Sequence, residues 1–258
     1  MEAVVELTEP SAKTKLDVPI RRLVKGAAML LALAFFFTGP ACAPPKSKPV
    51  ASAKAHFEWG RKLLEGNDYN RAIQEFNSAI ALAPKYMAAY ELRGQGYLVK
   101  GDYDSAIADF SEAIRLGSKD AGTYSKRGVA FARKGDYDSA IADFGKALKR
   151  GPRDSRTIFN RGSAYLKKQD FDRAIADFTE SIALAPKDFK AQALAGRGSA
   201  HAAKKDYAAA IADYTAAIEL EPGNASFYTG RGRAHRAKGD EAKAVADLEK
   251  ARQLGQRR

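Results

Sequence analysis

From residue 53 onward, apolar side chains return every three or four positions, the spacing of one helix face. Ala106, Ile107, Phe110, Ala113 and Ile114 form such a face. Gly101-Asp102 and Gly135-Asp136 interrupt the pattern, as breaks between helices do. The short carboxylate of Asp102 or Asp104 suits the start of the second helix, where backbone N–H groups lack partners. The pattern then repeats. Gly-Asp-Tyr-Asp-Ser-Ala-Ile-Ala-Asp-Phe at 101–110 recurs unchanged at 135–144, and in looser form at 169–178. Gly60, Gly94, Gly128, Gly162, Gly198 and Gly232 mark six copies at steps of 34, 34, 34, 36 and 34 residues. Ala72, Ala106, Ala140, Ala174, Ala210 and Ala244 keep the same steps. Tyr69, Tyr103, Tyr137, Phe171 and Tyr207 stand three residues before that alanine in five copies. Pro84, Pro152, Pro186 and Pro222 close four copies, because proline lacks a donor and clashes with the preceding turn.

No single copy can bury both of its faces, so stability has to come from stacking on neighbours. Small residues at fixed places let helices approach closely. A bulky replacement of Ala140 should overpack such a pair at a cost of ~1–3 kcal/mol. The register resembles the tetratricopeptide repeat family across residues 53–258. The copies fall at about 53–86, 87–120, 121–154, 155–188, 189–224 and 225–258. The resemblance implies an all-α fold, a right-handed α-solenoid of six helix-turn-helix repeats with a concave groove. Two copies depart from the pattern. The fifth is two residues longer near Ala193-Leu194-Ala195-Gly196, and a local bulge or an extended inter-repeat turn is expected there. The sixth has Glu241 in the aromatic place and Leu248 where Phe or Tyr stands elsewhere. Its charged second helix suits a face that meets water. No separate capping helix is expected, so this copy either caps itself or meets another subunit.

The chain ahead of the repeats has a different character. Arg21, Arg22 and Lys25 precede an apolar run from Gly26 to Phe37, followed by Thr38-Gly39-Pro40-Ala41-Cys42-Ala43. A basic flank, a short apolar stretch and small residues make up an export signal. The run is shorter than the ~20 residues of a spanning helix. Residues 1–43 therefore read as an N-terminal extension with a signal peptide. Cys42 sits where processing would occur. This resembles a bacterial lipoprotein signal with Cys42 as the lipid attachment point, although Gly39 and Pro40 replace its usual residues. Ordinary cleavage near Ala41 or Ala43 is the alternative. Residues 44–52, with Pro44, Pro45 and Pro49, read as an extended spacer. The expected location is exported and periplasmic, with a possible membrane tether.

Lys and Arg number 43 against 31 Asp and Glu, a formal charge of +12. Residues 44–258 keep +11 of it, so the basicity belongs to the repeats. One cysteine rules out an intramolecular disulfide. With three histidines in all, no metal site or other cofactor is expected. His201 and His235 take equivalent places held by Tyr97, Phe131 and Tyr165 elsewhere, which reads as a packing slot; His56 reads the same way. Gly196-Arg-Gly198 and Gly230-Arg-Gly232 lack the third glycine and the strand of a phosphate loop. No nucleophile, base or acid arrangement stands out, and no enzyme activity is expected. Arg93, Arg127, Arg161, Arg197 and Arg231 form one ladder, and Asp109, Asp143, Asp177, Asp213 and Asp247 another. Pairing of some of them across the helical hairpin is the sharper reading, and two solvated rows with arginine stems over apolar surface the other. The first copy has Trp59 and Glu75 in these slots.

The resemblance implies that the first helix of each copy lines the groove, at places 2, 5, 9, 12 and 13. The matched places put Lys54, Arg61, Arg133, Arg156, Lys167, Arg233 and Arg236 there, against Glu65 and Glu91. Phe57 and Phe159 add aromatic contacts, and Gln95 and Ser163 neutral polar ones. The family's carboxylate clamp is absent, because Phe57 and Arg61 stand in its places. The expected role is a protein–protein scaffold in the cell envelope, taking an acidic or extended partner segment into a basic groove. The alternatives are a binder of polyanions, nucleic acid or anionic lipid, and a self-assembling structural protein joined through its C-terminal end. The leader argues against nucleic acid.

Overall fold

The computed structural model describes residues 52–256. The leader, Cys42 and nearly all of the proline-rich spacer lie outside the described residues. Every regular element among them is an α-helix, in six antiparallel pairs. These are α1 Ala53–Glu65 with α2 Tyr69–Leu82, α3 Met87–Lys100 with α4 Tyr103–Arg115, and α5 Ala121–Lys134 with α6 Tyr137–Arg150. Then come α7 Ser155–Lys167 with α8 Phe171–Leu184, α9 Lys187–Ala203 with α10 Tyr207–Leu220, and α11 Ala225–Lys238 with α12 Glu241–Gly255. Each helix packs on the next in chain order. Successive odd-numbered helices also touch one another and even-numbered ones do not, so the stack curves with the odd helices on its inner side.

Each hairpin turn is built the same way. The residue at one register place takes a left-handed conformation: Asn67, Gly101, Gly135, Gln169, Lys205 and Gly239. An aspartate follows as N-cap, and Asp68, Asp102, Asp136, Asp170 and Asp206 each accept from the backbone N–H three residues on. Hydrogen bonds from Ser139 hold the Asp136 carboxyl below the usual carboxylate range. Asp102, not Asp104, is therefore the cap. Asp104 instead meets Lys134 of the next repeat. Lys168–Asp138 and Lys204–Asp172 repeat this exposed rung.

Phe76, Phe110, Phe144, Phe178 and Tyr214 form the buried row between the layers. Gly128 shows why the marker glycine is needed: a Cβ there would lie 2.9 Å from the Phe144 ring and 3.2 Å from the Ala140 carbonyl oxygen.

The two ladders pair. In all five copies, arginine Nε and Nη2 donate to the two aspartate oxygens at 2.6–2.9 Å. The aspartates are only 2–7% exposed, so these are buried bidentate pairs rather than solvated rows. The Asp177 bonds hold the Arg161 guanidinium above its usual range. In the first copy, His56 Nδ1 lies 2.6 Å from Glu75, and Trp59 stands exposed in the arginine slot.

Four of the five arginines also reach back one repeat. Nη1 donates to Asn77, Ser111, Thr179 and Thr215 from Arg93, Arg127, Arg197 and Arg231. The counterpart for Arg161 is Gly145, which offers no acceptor and has open space beside it. Gly145→Ser is expected to raise unfolding free energy by about 1–2 kcal/mol, from helix propensity plus a hydrogen bond to a charged donor. Urea unfolding against Gly145→Ala checks this, because Ala has the better propensity and no acceptor. Ser no better than Ala would mean that the bond does not form.

The fifth copy corrects an expectation. Its two extra residues make neither a bulge nor a longer turn. They lengthen α9 to 17 residues at its N-terminal end, and the preceding link shrinks to 185–186. The added turn buries Phe189, whose ring meets Phe159 edge-on at 5.3 Å. Apolar contact thus favours helix over loop. On the last helix, Val245, Glu249 and Arg252 are exposed, with Arg252 at the place of Ile80 and Ile114.

Candidate functional site

The odd helices present the candidate residues to the hollow side. Arg133 from the end of α5 and Phe159, Ser163 and Lys167 from α7 line one depression of about 490 Å³. Val129, Asn160 and Gln192 complete the part that a ligand would meet. No carboxylate lines this depression. Lys134 and Lys168, the next residues along, are paired with aspartates, whereas Arg133 and Lys167 have no carboxylate within 4 Å among the described residues. The depression thus combines two cations, two amides and a hydroxyl over an apolar floor. Its chemistry suits an anionic group on an otherwise ordinary peptide.

The remaining sequence-predicted residues do not join it. Phe57 packs into the first core cluster, its ring tilted against that of Tyr86 at 4.8 Å. Arg61 is held by Glu58 and Glu65. Glu91 accepts from Ser118 and Thr123 at the second inter-repeat link, and Gln95 accepts from Lys126. Arg156 lies over the Phe189 ring at 5.3 Å. Arg236 pairs with Glu241. Lys54 lies in a shallow recess with Pro84 and Tyr86 at the start of the stack.

Arg233 lines a second, smaller hollow of about 290 Å³ with Ser199, Tyr207 and Tyr214. The Tyr214 hydroxyl lies 2.8 Å from Ser199 Oγ. Burial raises its pKa, partly offset by that bond.

Sequence reading missed Asn160, Gln192 and the two Gly-Arg-Gly pairs as groove features. Asn160 is at place 6, between the groove places 5 and 9. Gly196 and Gly230 hold that same place in later copies. A Cβ on Gly230 would lie 2.4 Å from the Tyr214 ring, and one on Gly196 would lie 2.8 Å from Phe178. These glycines make room for aromatic rings, not phosphate.

His201 and His235 fill the slot beside the ion pairs. His235 Nδ1 lies 3.3 Å from Asp240, and His201 Nδ1 is buried with no hydrogen-bond partner. Among the described residues no cluster of three His, Cys, Asp or Glu side chains could hold a metal ion. No helix among them is long and apolar enough to cross a membrane.

Solved structures with the same fold include a tetratricopeptide repeat protein from Parabacteroides merdae ATCC 43184. It is 19% identical, covers 78% of this chain and 79% of that one, and has a TM-score of 0.69. YrrB, described as a TPR protein with an unusual peptide-binding site, is 23% identical over 69% of this chain and 91% of that one, at 0.57. The Cut9–Hcn1 hetero-tetramer of the APC/C matches at 0.64 and 20% identity over 79% of this chain, which spans only 40% of the matched chain. At these identities the likeness concerns the fold. No curated protein matches the sequence. The tetratricopeptide repeat family itself matches at residues 57–121, 125–189, 159–225 and 196–257. With helix pairs, register and sequence in agreement over more than half its length, this chain belongs to the tetratricopeptide repeat family.

Proposed function

We propose that the protein is an exported scaffold that holds an acidic, extended segment of another envelope protein against its hollow side. Proteins of this family bind peptides or other proteins. The observation that carries the acidic preference is the depression between α5 and α7, where Arg133 and Lys167 stand without carboxylates beside Asn160, Ser163 and Gln192. Charge complementarity of this kind selects partners and speeds encounter. The export reading rests on the pattern of residues 21–43 and the placement of Cys42.

The test is binding of the full chain to extended acidic peptides, with charge-reversed peptides as controls. Arg133→Glu with Lys167→Glu is expected to weaken binding by about 10- to 100-fold, some 1.4–2.8 kcal/mol. Added salt should weaken the wild-type complex as it screens exposed charge. Unchanged affinity in the double variant would remove this depression from the binding surface. In cells, loss of palmitate-analogue labelling on Cys42→Ser is the matching outcome for the tether.

A further inference from the structure

Four of the five internal interfaces share one hydrogen bond, and the two ends of the stack carry its two halves. The arginine before the marker glycine in the second, third, fifth and sixth repeats reaches back as a hydrogen-bond donor. Its acceptor stands two residues after the ladder acid of the preceding repeat, as in Arg127 to Ser111 and Arg231 to Thr215. At the first repeat the donor place holds Trp59, 47% exposed with no repeat before it among the described residues. Its indole N–H is a donor only. At the last repeat the acceptor place holds Glu249, exposed on α12. Beside it stands Val245, 42% exposed, in the row of Ile107 and Ile141. Leu248 continues the row of Phe110 and Phe144 and remains only partly covered.

We propose that a second copy of this chain stacks head to tail on the first, with Trp59 of one copy seated on Val245 and Leu248 of the next and its indole N–H donated to Glu249. The contact continues an interface already formed five times within the molecule. It buries the apolar surface that each end leaves open, and it pairs a donor with an acceptor in register. Arg252, where the internal interfaces have isoleucine or leucine, makes this face less apolar than they are, so the association is weaker than the internal stacking and depends on concentration. The contact is heterologous and does not close on itself, so it builds linear chains rather than a symmetric dimer.

Trp59 is the sole tryptophan, so its emission reports the contact directly. In the full-length protein the emission is expected to shift to shorter wavelength as concentration rises, in step with growing mass in sedimentation velocity. Glu249→Lys should abolish the shift, and Trp59→Ala should weaken association at least about tenfold. Both positions are exposed, and circular dichroism verifies that each variant is folded. Mixing the two variants is the decisive arm. Each alone stays monomeric, while the mixture forms dimers and nothing longer, because one intact pair of ends remains. A wild type that is monomeric throughout, with invariant emission, overturns the proposal. So does association that survives both substitutions. Loss on Trp59→Ala with no effect of Glu249→Lys would mean a head-to-head contact and would overturn it equally.

Discussion

Asp143→Ala is expected to lower unfolding free energy by about 3–5 kcal/mol, because it strands a guanidinium that the fold has taken out of water. Asp143 is 2% exposed and accepts both Nε and Nη2 of Arg127. Arg127 lies between the rings of Tyr124 and Phe131, each 5.8 Å from the guanidinium carbon. It also donates to Ser111 of the repeat before. Removing the acid therefore loosens a hairpin and the joint to its neighbour together. Arg127→Leu combined with Asp143→Leu should restore much of the loss, since a well-packed apolar pair of similar volume often matches a buried ion pair. Urea unfolding followed by circular dichroism measures both. A loss below about 1 kcal/mol for Asp143→Ala would place the pair with solvated surface bridges.

Phe144→Ala is expected to cost about 3–5 kcal/mol by leaving a cavity between the layers. Phe144 is fully buried against the Gly128 face, with Ala140 and Ala164 in the same cluster. Phe144→Tyr is the informative control. In the fifth repeat the equivalent Tyr214 is tolerated for two local reasons: Ser199 partners its hydroxyl, and Gly230 leaves room above its ring. Around Phe144 those places hold Val129 and Asn160. The tyrosine should therefore cost about 1–3 kcal/mol by overpacking against Asn160, with no serine placed to receive its hydroxyl. Adding Val129→Ser and Asn160→Gly should recover most of it. A Phe144→Tyr variant as stable as wild type would discard this account of the row.

The fold was legible in the sequence because each copy must solve one packing problem with the same residues. Gly128, Ala140 and Phe144 recur at fixed steps, since only small residues there let the ring lie flat between helices. The Arg127–Asp143 pairing was readable for the same reason: two polar rows in strict register imply a shared partner. The altered first copy was readable too, as Trp59 and Glu75 change together. The fifth copy was not, because spacing alone cannot tell a longer helix from a longer turn. Phe189 decides it, through a contact with Phe159 some thirty residues earlier.

The hollow side was legible only in part. Place numbers named Arg133, Phe159, Ser163 and Lys167, and these four line one depression. They could not show that Glu91 and Gln95 are already engaged by Ser118 and Lys126. Nor could they reveal Asn160, whose place counts as lining only once the neighbouring ring beneath it is known.

The glycines beneath the aromatic rings divide the inner surface into two kinds of ground. Toward the amino end, Leu92, Lys126 and Asn160 fill the sixth place with side chains, Leu92 packed on the first core cluster and Lys126 bonded to Gln95. Toward the carboxyl end, Gly196 and Gly230 give that place to the rings of Phe178 and Tyr214, which the core fixes from behind. A ligand on the first half therefore meets side chains, which have rotamer freedom to lose on ordering. The other half is a preorganised template, already rigid before anything arrives.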